Sequence, residues 1–197
     1  MKNGACQPMQ ENGWRDTMGE KTYSKELAGL VKDYLKSNGY LFTFDKEKGI
    51  FQFSVGLNGR LKRVATFINV DHDAISFVTV SPIGADSNDE EMLSRMAVFL
   101  CRKNYELKNG SFQLDVRDGE IRYRVFVNCD KMVPSEEIIN ISCMLGPFMF
   151  ESYGSAILSI IYAGASAEEA YRAGENGTDI LARRLGIGKD NGDTIDP

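Results

Sequence analysis

The residues of this chain that could carry chemistry are few. Its 197 residues include one histidine, four cysteines and one tryptophan. The histidine, His72, lies between Asp71 and Asp73, a carboxylate–imidazole cluster of the kind that serves acid–base catalysis or metal binding. A single imidazole excludes sites built on two or more histidines, which removes most zinc enzymes. Because aspartate also favours turns by hydrogen bonding to the nearby backbone, we interpret residues 71–73 as a β-turn.

The four cysteines give no stronger indication of a metal or catalytic site than the histidine does. They show no C-x-x-C spacing, and none lies near His72 in the sequence; they are Cys6, Cys101, Cys129 and Cys143. Cysteine is among the most buried residue types and stays reduced in the cytoplasm. We therefore expect four reduced thiols, two or three of them in the core.

The remaining motifs are also incomplete. Residues 115–120, DVRDGE, resemble part of a calcium loop but lack its acidic spacing and its terminal glutamate, and a hairpin explains them better. No glycine-rich segment has phosphate-loop spacing, and no G-x-S-x-G is present. We expect no catalytic residues, no metal ligands and no cofactor, and we interpret the chain as a non-enzyme.

Charge and hydropathy restrict the kinds of partner that this protein is expected to bind. The formal charge is -5, which argues against nucleic acid as the main partner. A basic group formed by Arg60, Lys62 and Arg63 with Arg122 and Arg124 is interpreted as a solvated sheet edge. The sequence shows no secretory signal and no run of 18 apolar residues, so it predicts a cytoplasmic protein without a membrane partner.

Composition divides the chain into three parts. Residues 1–21 have few apolar anchors and are predicted to form a mobile tail. Residues 22–174 are predicted to form a single α+β domain. Residues 175–197 are predicted to be mostly disordered, with one short helical possibility over 179–185.

The first half of the domain is predicted to form a helix followed by four strands. Leucine and valine spacing after Ser24 predicts a helix over 24–38. Alternation then predicts a meander in which Phe44 faces Phe51 and Phe42 faces Phe53. A tight turn at Asn58–Gly59 is predicted to pair the next strands. The predicted pairs at that turn are Val55 with Lys62, Phe53 with Val64 and Phe51 with Thr66.

The second half adds a helix over about 89–103, a hairpin and two further helices. A type I′ turn at Asp118–Gly119 would pair the hairpin strands within residues 111–128. The third helix follows Pro134 and is expected to kink or break near Leu145, because Pro147 removes a helical hydrogen bond. The predicted hairpin pairs are Val116 with Ile121, Leu114 with Tyr123, Phe112 with Val125, Asp115 with Arg122 and Arg117 with Glu120.

A last short helix over 166–171 completes the order α-β-β-β-β-α-β-β-α-α. Runs of hairpin-linked strands predict an antiparallel sheet, and hence an α+β fold rather than a doubly wound one.

Two surfaces carry more apolar residues than a one-faced sheet needs. The outward positions of the third and fourth strands hold Ala65, Phe67, Val78 and Val80, although a solvated sheet face is normally polar. The third helix is apolar all round, with Phe148 and Met149 near its centre. Large exposed apolar patches mark interaction sites. Both groups are candidate dimer or partner surfaces, and the sequence leaves open which one forms the interface.

The element order and several segments resemble a known family. These segments are Ser37–Tyr40 after the first helix, DGEIRYRVFV at 118–127, PSEE at 134–137 and YAGASAEEAYRAGE at 162–175. Together they are similar to the YbjN-type domain, described as a bacterial sensory transduction regulator. The resemblance implies a small cytoplasmic α+β domain with a type III secretion chaperone-like fold, often dimeric and without established enzyme activity.

From these features we expect a non-catalytic regulatory or chaperone-like module. It would act as a homodimer and bind a protein or peptide partner. The alternative is a small-molecule-sensing domain, or an enzyme, with a pocket between the sheet and the helices.

Overall fold

The computed structural model describes residues 23–173, which form one sheet with one hydrophobic core. The tails predicted at 1–21 and 175–197 lie outside the described residues. The elements are α1 (Lys25–Ser37), β1 (Phe42–Asp45), β2 (Ile50–Gly56), β3 (Arg63–Val70), β4 (Ala74–Val80), α2 (Glu90–Glu106), β5 (Ser111–Leu114), β6 (Ile121–Asn128) and α3 (Glu136–Ala163). A fourth helix, α4, covers 167–173.

The fold is α+β, with a six-stranded antiparallel sheet in the order β1-β2-β3-β4-β6-β5. The helix starts are set locally by capping side chains. Ser24, Asp89 and Ser135 each accept a hydrogen bond from a backbone N–H in the first turn of α1, α2 and α3. The predicted starts are thus confirmed, whereas α2 continues three residues beyond the predicted end at Lys103.

The first hairpin has the predicted register, with Phe44 opposite Phe51 and Phe42 opposite Phe53. The second hairpin does not. Val55 pairs with Val64 rather than Lys62, because the turn closed by Leu57 and Lys62 contains four residues, 58–61, instead of two. The backbone N–H of Leu57 donates to the carbonyl of Lys62 below this loop. Leu57 and Leu61 are buried there, which a two-residue turn would not allow.

The register predicted for the β5–β6 hairpin is also wrong by two residues. Leu114 pairs with Ile121 and Phe112 with Tyr123, and the N–H of Asp115 donates to the carbonyl of Glu120. The wider loop brings Gly119 against the segment after β4, where the N–H of Ala85 donates to the Gly119 carbonyl at 2.9 Å. A Cβ on Gly119 would collide with the backbone of Ala85, and Gly119 has a φ of +77°. The contact between Gly119 and Ala85 therefore favours the wider loop over the predicted two-residue turn.

Both register errors are shifts of two residues. Because side chains alternate between the two faces of a sheet, the strand side chains still lie on the predicted face. The inner face of the sheet is the core face. Its buried side chains are Phe51, Phe53, Val64, Thr66, Ile68, Val70, Ile75, Phe77, Thr79, Ile121, Tyr123 and Val125.

The long helix α3 covers this inner face. It contacts β3, β4 and β6, while α1 and α2 pack beside it. Gly146 lies directly over Thr79, and a Cβ built on the glycine would be 2.6 Å from the Thr79 Cβ. Thr79 in turn is within 3.2 Å of the Thr66 hydroxyl oxygen in a buried hydrogen bond. Of the kink or break expected near Leu145, the break is not observed, because α3 is one continuous helix across Pro147.

Replacing Gly146 with alanine should destabilise the protein, because the added methyl group overlaps Thr79 and forces α3 away from the sheet. We expect the free energy of unfolding to fall by about 1–3 kcal/mol, the usual cost of overpacking. Urea denaturation followed by circular dichroism measures this change.

Gly29→Ala is the matched control, since it makes the same substitution inside α1, where a Cβ meets nothing within 4 Å. It should stabilise the protein by about 0.5–1 kcal/mol. Equal effects of the two substitutions would contradict the close packing of α3 on β4.

Candidate binding surfaces

The outward face of the sheet carries the first predicted surface. Ala65 pairs with Val80 and Phe67 with Val78, so the four side chains form one contiguous patch, which we call the outer strip. All four are partly exposed, and the helices pack on the opposite face of the sheet. The structure therefore brings these four predicted residues together.

Polar side chains border the outer strip on both sides. Gln52 is opposite Phe67 and Ser54 is opposite Ala65 on the β2 side. On the β6 side, Arg124 is opposite Val78 and Arg122 is opposite Val80. The border is therefore uncharged on one side and cationic on the other.

The arginines are held by neighbours on the same face. The guanidinium of Arg124 donates to the Ser76 hydroxyl at 3.0 Å, and that of Arg122 donates to the Gln113 side chain at 2.8 Å. Arg122 does not pair with Asp115 as predicted, and its carboxylate neighbour is Glu120 at 3.7 Å.

Phe148 and Met149 do not belong to the same surface. They lie on α3, which packs against the inner face, so the sheet separates them from the outer strip. Met149 is 1% exposed and belongs to the core, and Phe148 is partly buried against that core. The prediction of a surface position is wrong for Met149, because it is buried in the core; for Phe148, which is partly exposed, it stays a prediction.

A second surface, which the sequence analysis missed, lies where β6 continues beyond the end of β5. Pairing between these strands stops at Ser111 and Arg124, so residues 125–128 of β6 border β4 on one side and have no strand on the other within residues 23–173. Gly110 has a φ of +74° and turns the chain away at this point. We call the space between this edge and the start of α3 the β6 groove.

The β6 groove has a volume of about 360 Å³ and is mainly apolar. Its exposed members include Phe126 (57%), Ile138 (38%) and Ile141 (39%). The lining residues are Asn109, Val125, Phe126, Val127, Asn128, Ile138, Ile141, Ser142 and Leu145. A sequence signal did exist, because Phe126 is the one large apolar residue at an outward position of β6.

The two sequence clusters considered for chemistry are turns. The N–H of Asp71 donates to the carbonyl of Ala74, which closes the 71–73 reversal as predicted. In the 115–120 segment, the Arg117 guanidinium donates to Asp115 and holds the pKa of that carboxyl below its usual range. Within residues 23–173 there is no group of three or more histidine, cysteine or acidic side chains placed to hold a metal ion.

The buried cysteine in α3 is not activated. Burial raises the pKa of Cys143 to about 12, although the nearby Tyr34 and Tyr40 hydroxyls oppose the shift. Burial likewise raises the pKa of Cys129. A nucleophilic thiol needs a lowered pKa, so these environments keep both thiols protonated at neutral pH.

α3 is the one helix within residues 23–173 that is long and apolar enough to cross a membrane. Half of its most apolar window is buried inside the protein, and the helix packs against three strands and two helices. Its apolar character is thus accounted for by its place in the core of this α+β fold.

No protein-family model matches the chain, and no curated protein matches it significantly.

The cysteines should differ strongly in reactivity. Cys101 is exposed, whereas Cys129 and Cys143 are buried with raised pKa values. At pH 8, iodoacetamide should modify Cys101 at least about 100-fold faster than Cys143, because the thiolate of Cys143 is scarce and inaccessible. Peptide mapping by mass spectrometry measures each site, and denaturation in urea should remove the difference. Comparable rates in the folded protein would contradict the buried position of Cys143.

Proposed function

We propose that this protein is a non-catalytic protein-binding module that acts as a homodimer through the outer strip. The observation that supports this proposal is the apolar patch of Ala65, Phe67, Val78 and Val80 on the sheet face that no helix covers within residues 23–173. Antiparallel sheets with one face in water normally place polar residues there. A second copy supplies the same apolar patch and removes both from water.

The border of the outer strip favours one arrangement of the two copies. With a two-fold axis parallel to the strands, each cross-strand row of paired residues packs against the same row of the second copy. The two rows run in opposite directions across the sheet. Arg124 of one copy then lies over Gln52 of the other, and Arg122 lies over Ser54. The amide and hydroxyl oxygens there accept hydrogen bonds from guanidinium groups. An axis perpendicular to the strands would instead stack arginine on arginine, which like-charge repulsion opposes.

The size of the face is compatible with a stable dimer. At strand spacings of about 4.8 Å, the face formed by β2, β3, β4, β6 and β5 has a projected area of roughly 500 Å². Its side chains increase the accessible area above this projection. A standard interface removes about 800 Å² of accessible surface from each partner, so the dimer would use the whole face and not the outer strip alone.

The resemblance to the YbjN-type domain is consistent with this proposal. It extends the proposal to a regulatory or chaperone-like role in the cytoplasm, with a type III secretion chaperone-like fold. The alternative function, binding of a small molecule between sheet and helices, would use the β6 groove, because that groove lies between β6 and α3. The groove opens along a strand edge, a geometry that suits an extended chain better than a compact ligand.

Phe67→Glu tests the dimer directly. Phe67 is partly exposed, so a glutamate can be solvated in the monomer but would be buried without a partner charge in the dimer. Multi-angle light scattering should give twice the chain mass for the wild type and the single chain mass for the variant. The thermal midpoint at low protein concentration should change little.

Val98→Glu is the matched control, because it also replaces an exposed apolar residue with glutamate but lies on α2, away from the outer face of the sheet. This variant should remain dimeric. A monomeric wild type, or a Phe67→Glu variant that stays dimeric, would refute the proposal. If Phe67→Glu unfolds the protein, Val78→Glu provides the second test at the paired position.

A further inference from the structure

The open edge of β6 carries backbone groups that can pair with a further strand. The N–H of Cys129 donates to the carbonyl of Asp73, so the odd-numbered residues of β6 direct their backbone groups toward β4. Even-numbered residues therefore direct theirs the other way. Because pairing with β5 stops at Arg124, the backbone groups of Phe126 and Asn128 point to the open edge.

The neighbouring edge of β5, by contrast, is capped within the fold. The side-chain amide of Asn104 on α2 donates to the carbonyl of Phe112 at 2.9 Å and accepts from its N–H at 2.8 Å. Phe112 is opposite Tyr123, an odd-numbered residue of β6, so its own backbone groups point away from β6. Within residues 23–173 no side chain caps Phe126 in this way. Proteins normally protect exposed strand edges, so this open edge is suited to pairing with a strand from a partner.

The lining of the groove determines which side chains an added strand must carry. Ile138 and Ile141 are 38% and 39% exposed and line the groove together with Leu145. Val125 and Val127 of β6 continue the same lining. Residues that pair across neighbouring strands point to the same face, so the residues opposite these two valines would face the lining. Apolar side chains at two alternate positions of the added strand would therefore be buried.

Charged side chains at the two ends of the groove determine the direction of the added strand. The end where α3 begins has three exposed carboxylates and one lysine: Asp130, Glu136, Glu137 and Lys131. The opposite end, beside Asn109, has Lys108 and Arg124. Basic residues of a bound strand therefore lie toward α3. Every strand pair in this sheet is antiparallel, and β6 runs toward α3, so in an antiparallel strand the basic residues precede the apolar ones.

We propose that the β6 groove binds an extended segment of a partner protein as an added antiparallel strand, in which basic residues precede two apolar residues at alternate positions. The apolar side chains pack against Ile138, Ile141 and Leu145, and the basic side chains lie beside Glu136 and Glu137. This inference rests on the proposed protein-binding function and gives the chemistry of the partner. The outer strip lies on the other side of the sheet, so dimer formation and peptide binding use different surfaces.

Titration of the full chain with synthetic peptides tests the proposal. The probe set is acetyl-Arg-Arg-Z-Thr-Z-Gly-amide, in which Z is valine, isoleucine or leucine. At least one member should bind with a Kd below about 1 mM. On saturation, the amides of Phe126 and Asn128 should exchange with solvent about tenfold more slowly or less, as measured by NMR. The amides of Val125 and Val127, which face β4, are the internal reference. Absence of binding by every member would overturn the proposal.

Ile141→Asn tests the apolar lining and should raise the Kd of the best probe about fivefold or more, because less apolar surface is buried on binding. Met144→Asn is the matched control, since Met144 lies on the same helix and is equally exposed at 39% but does not line the groove. It should bind the probe like the wild type. Equal losses in the two variants would contradict the proposed site. If circular dichroism shows that Ile141→Asn is unfolded, Ile138→Asn replaces it.

Glu136→Gln with Glu137→Gln tests the direction of the strand. This double variant should weaken binding of the arginine probe about threefold or more, and should leave binding of a probe with glutamine in place of both arginines unchanged. The matched control is Glu90→Gln with Glu91→Gln, which makes the same changes in the first turn of α2 and should have no effect. Equal effects on the two probes would overturn the assigned direction.

Occupation of the edge in the free protein would also overturn the proposal. Protection of the Phe126 and Asn128 amides without peptide would mean that a second copy or another part of the chain already covers the edge. Light scattering reports on the outer strip independently. A monomeric wild type that binds the probe refutes only the dimer, whereas a dimer that binds no probe refutes only this inference. The Phe67→Glu variant should bind the probe with an unchanged Kd.

Discussion

Close contact between α3 and the inner face of the sheet is the constraint on which the other features depend. Gly146 lets the helix approach Thr79, and the buried Thr66–Thr79 hydrogen bond satisfies the hydroxyls beneath it. α1 and α2 pack beside α3. All three helices therefore share one face, and the other face is left without cover within the described residues.

This one-sided arrangement explains the character of the two candidate surfaces. The outer strip remains partly exposed because no helix covers it within residues 23–173, and its neighbours on the adjacent strands are Gln52 and Ser54 on one side and two arginines on the other. The β6 groove exists because β5 is shorter than β6 and the start of α3 lies beside the uncovered strand segment. One surface offers an apolar plane and the other an edge with free hydrogen-bonding capacity, so they suit different kinds of partner.

Local chemistry explains which predictions succeeded. Each correctly placed helix start depends on a capping side chain within three residues, such as Ser24 with Leu27. The first hairpin was correct because the short loop between Asp45 and Ile50 is set by nearby residues, including the Asp45 side chain that accepts from Glu47. The capping box of Ser166 and Glu169, which starts α4, is equally local. Interactions between residues so close in the chain can be predicted from the sequence.

The sequence by itself determined the element order, the caps and the face on which each strand residue lies, since these follow from periodicity and nearby hydrogen bonds. Only the tertiary structure decided the two longer loops, because the burial of Leu61 and the contact of Gly119 with Ala85 join segments distant in the chain. It also placed Met149 in the core, kept α3 continuous across Pro147 and brought α3 beside the open edge of β6. These outcomes depend on packing between elements, which no local pattern of residues records.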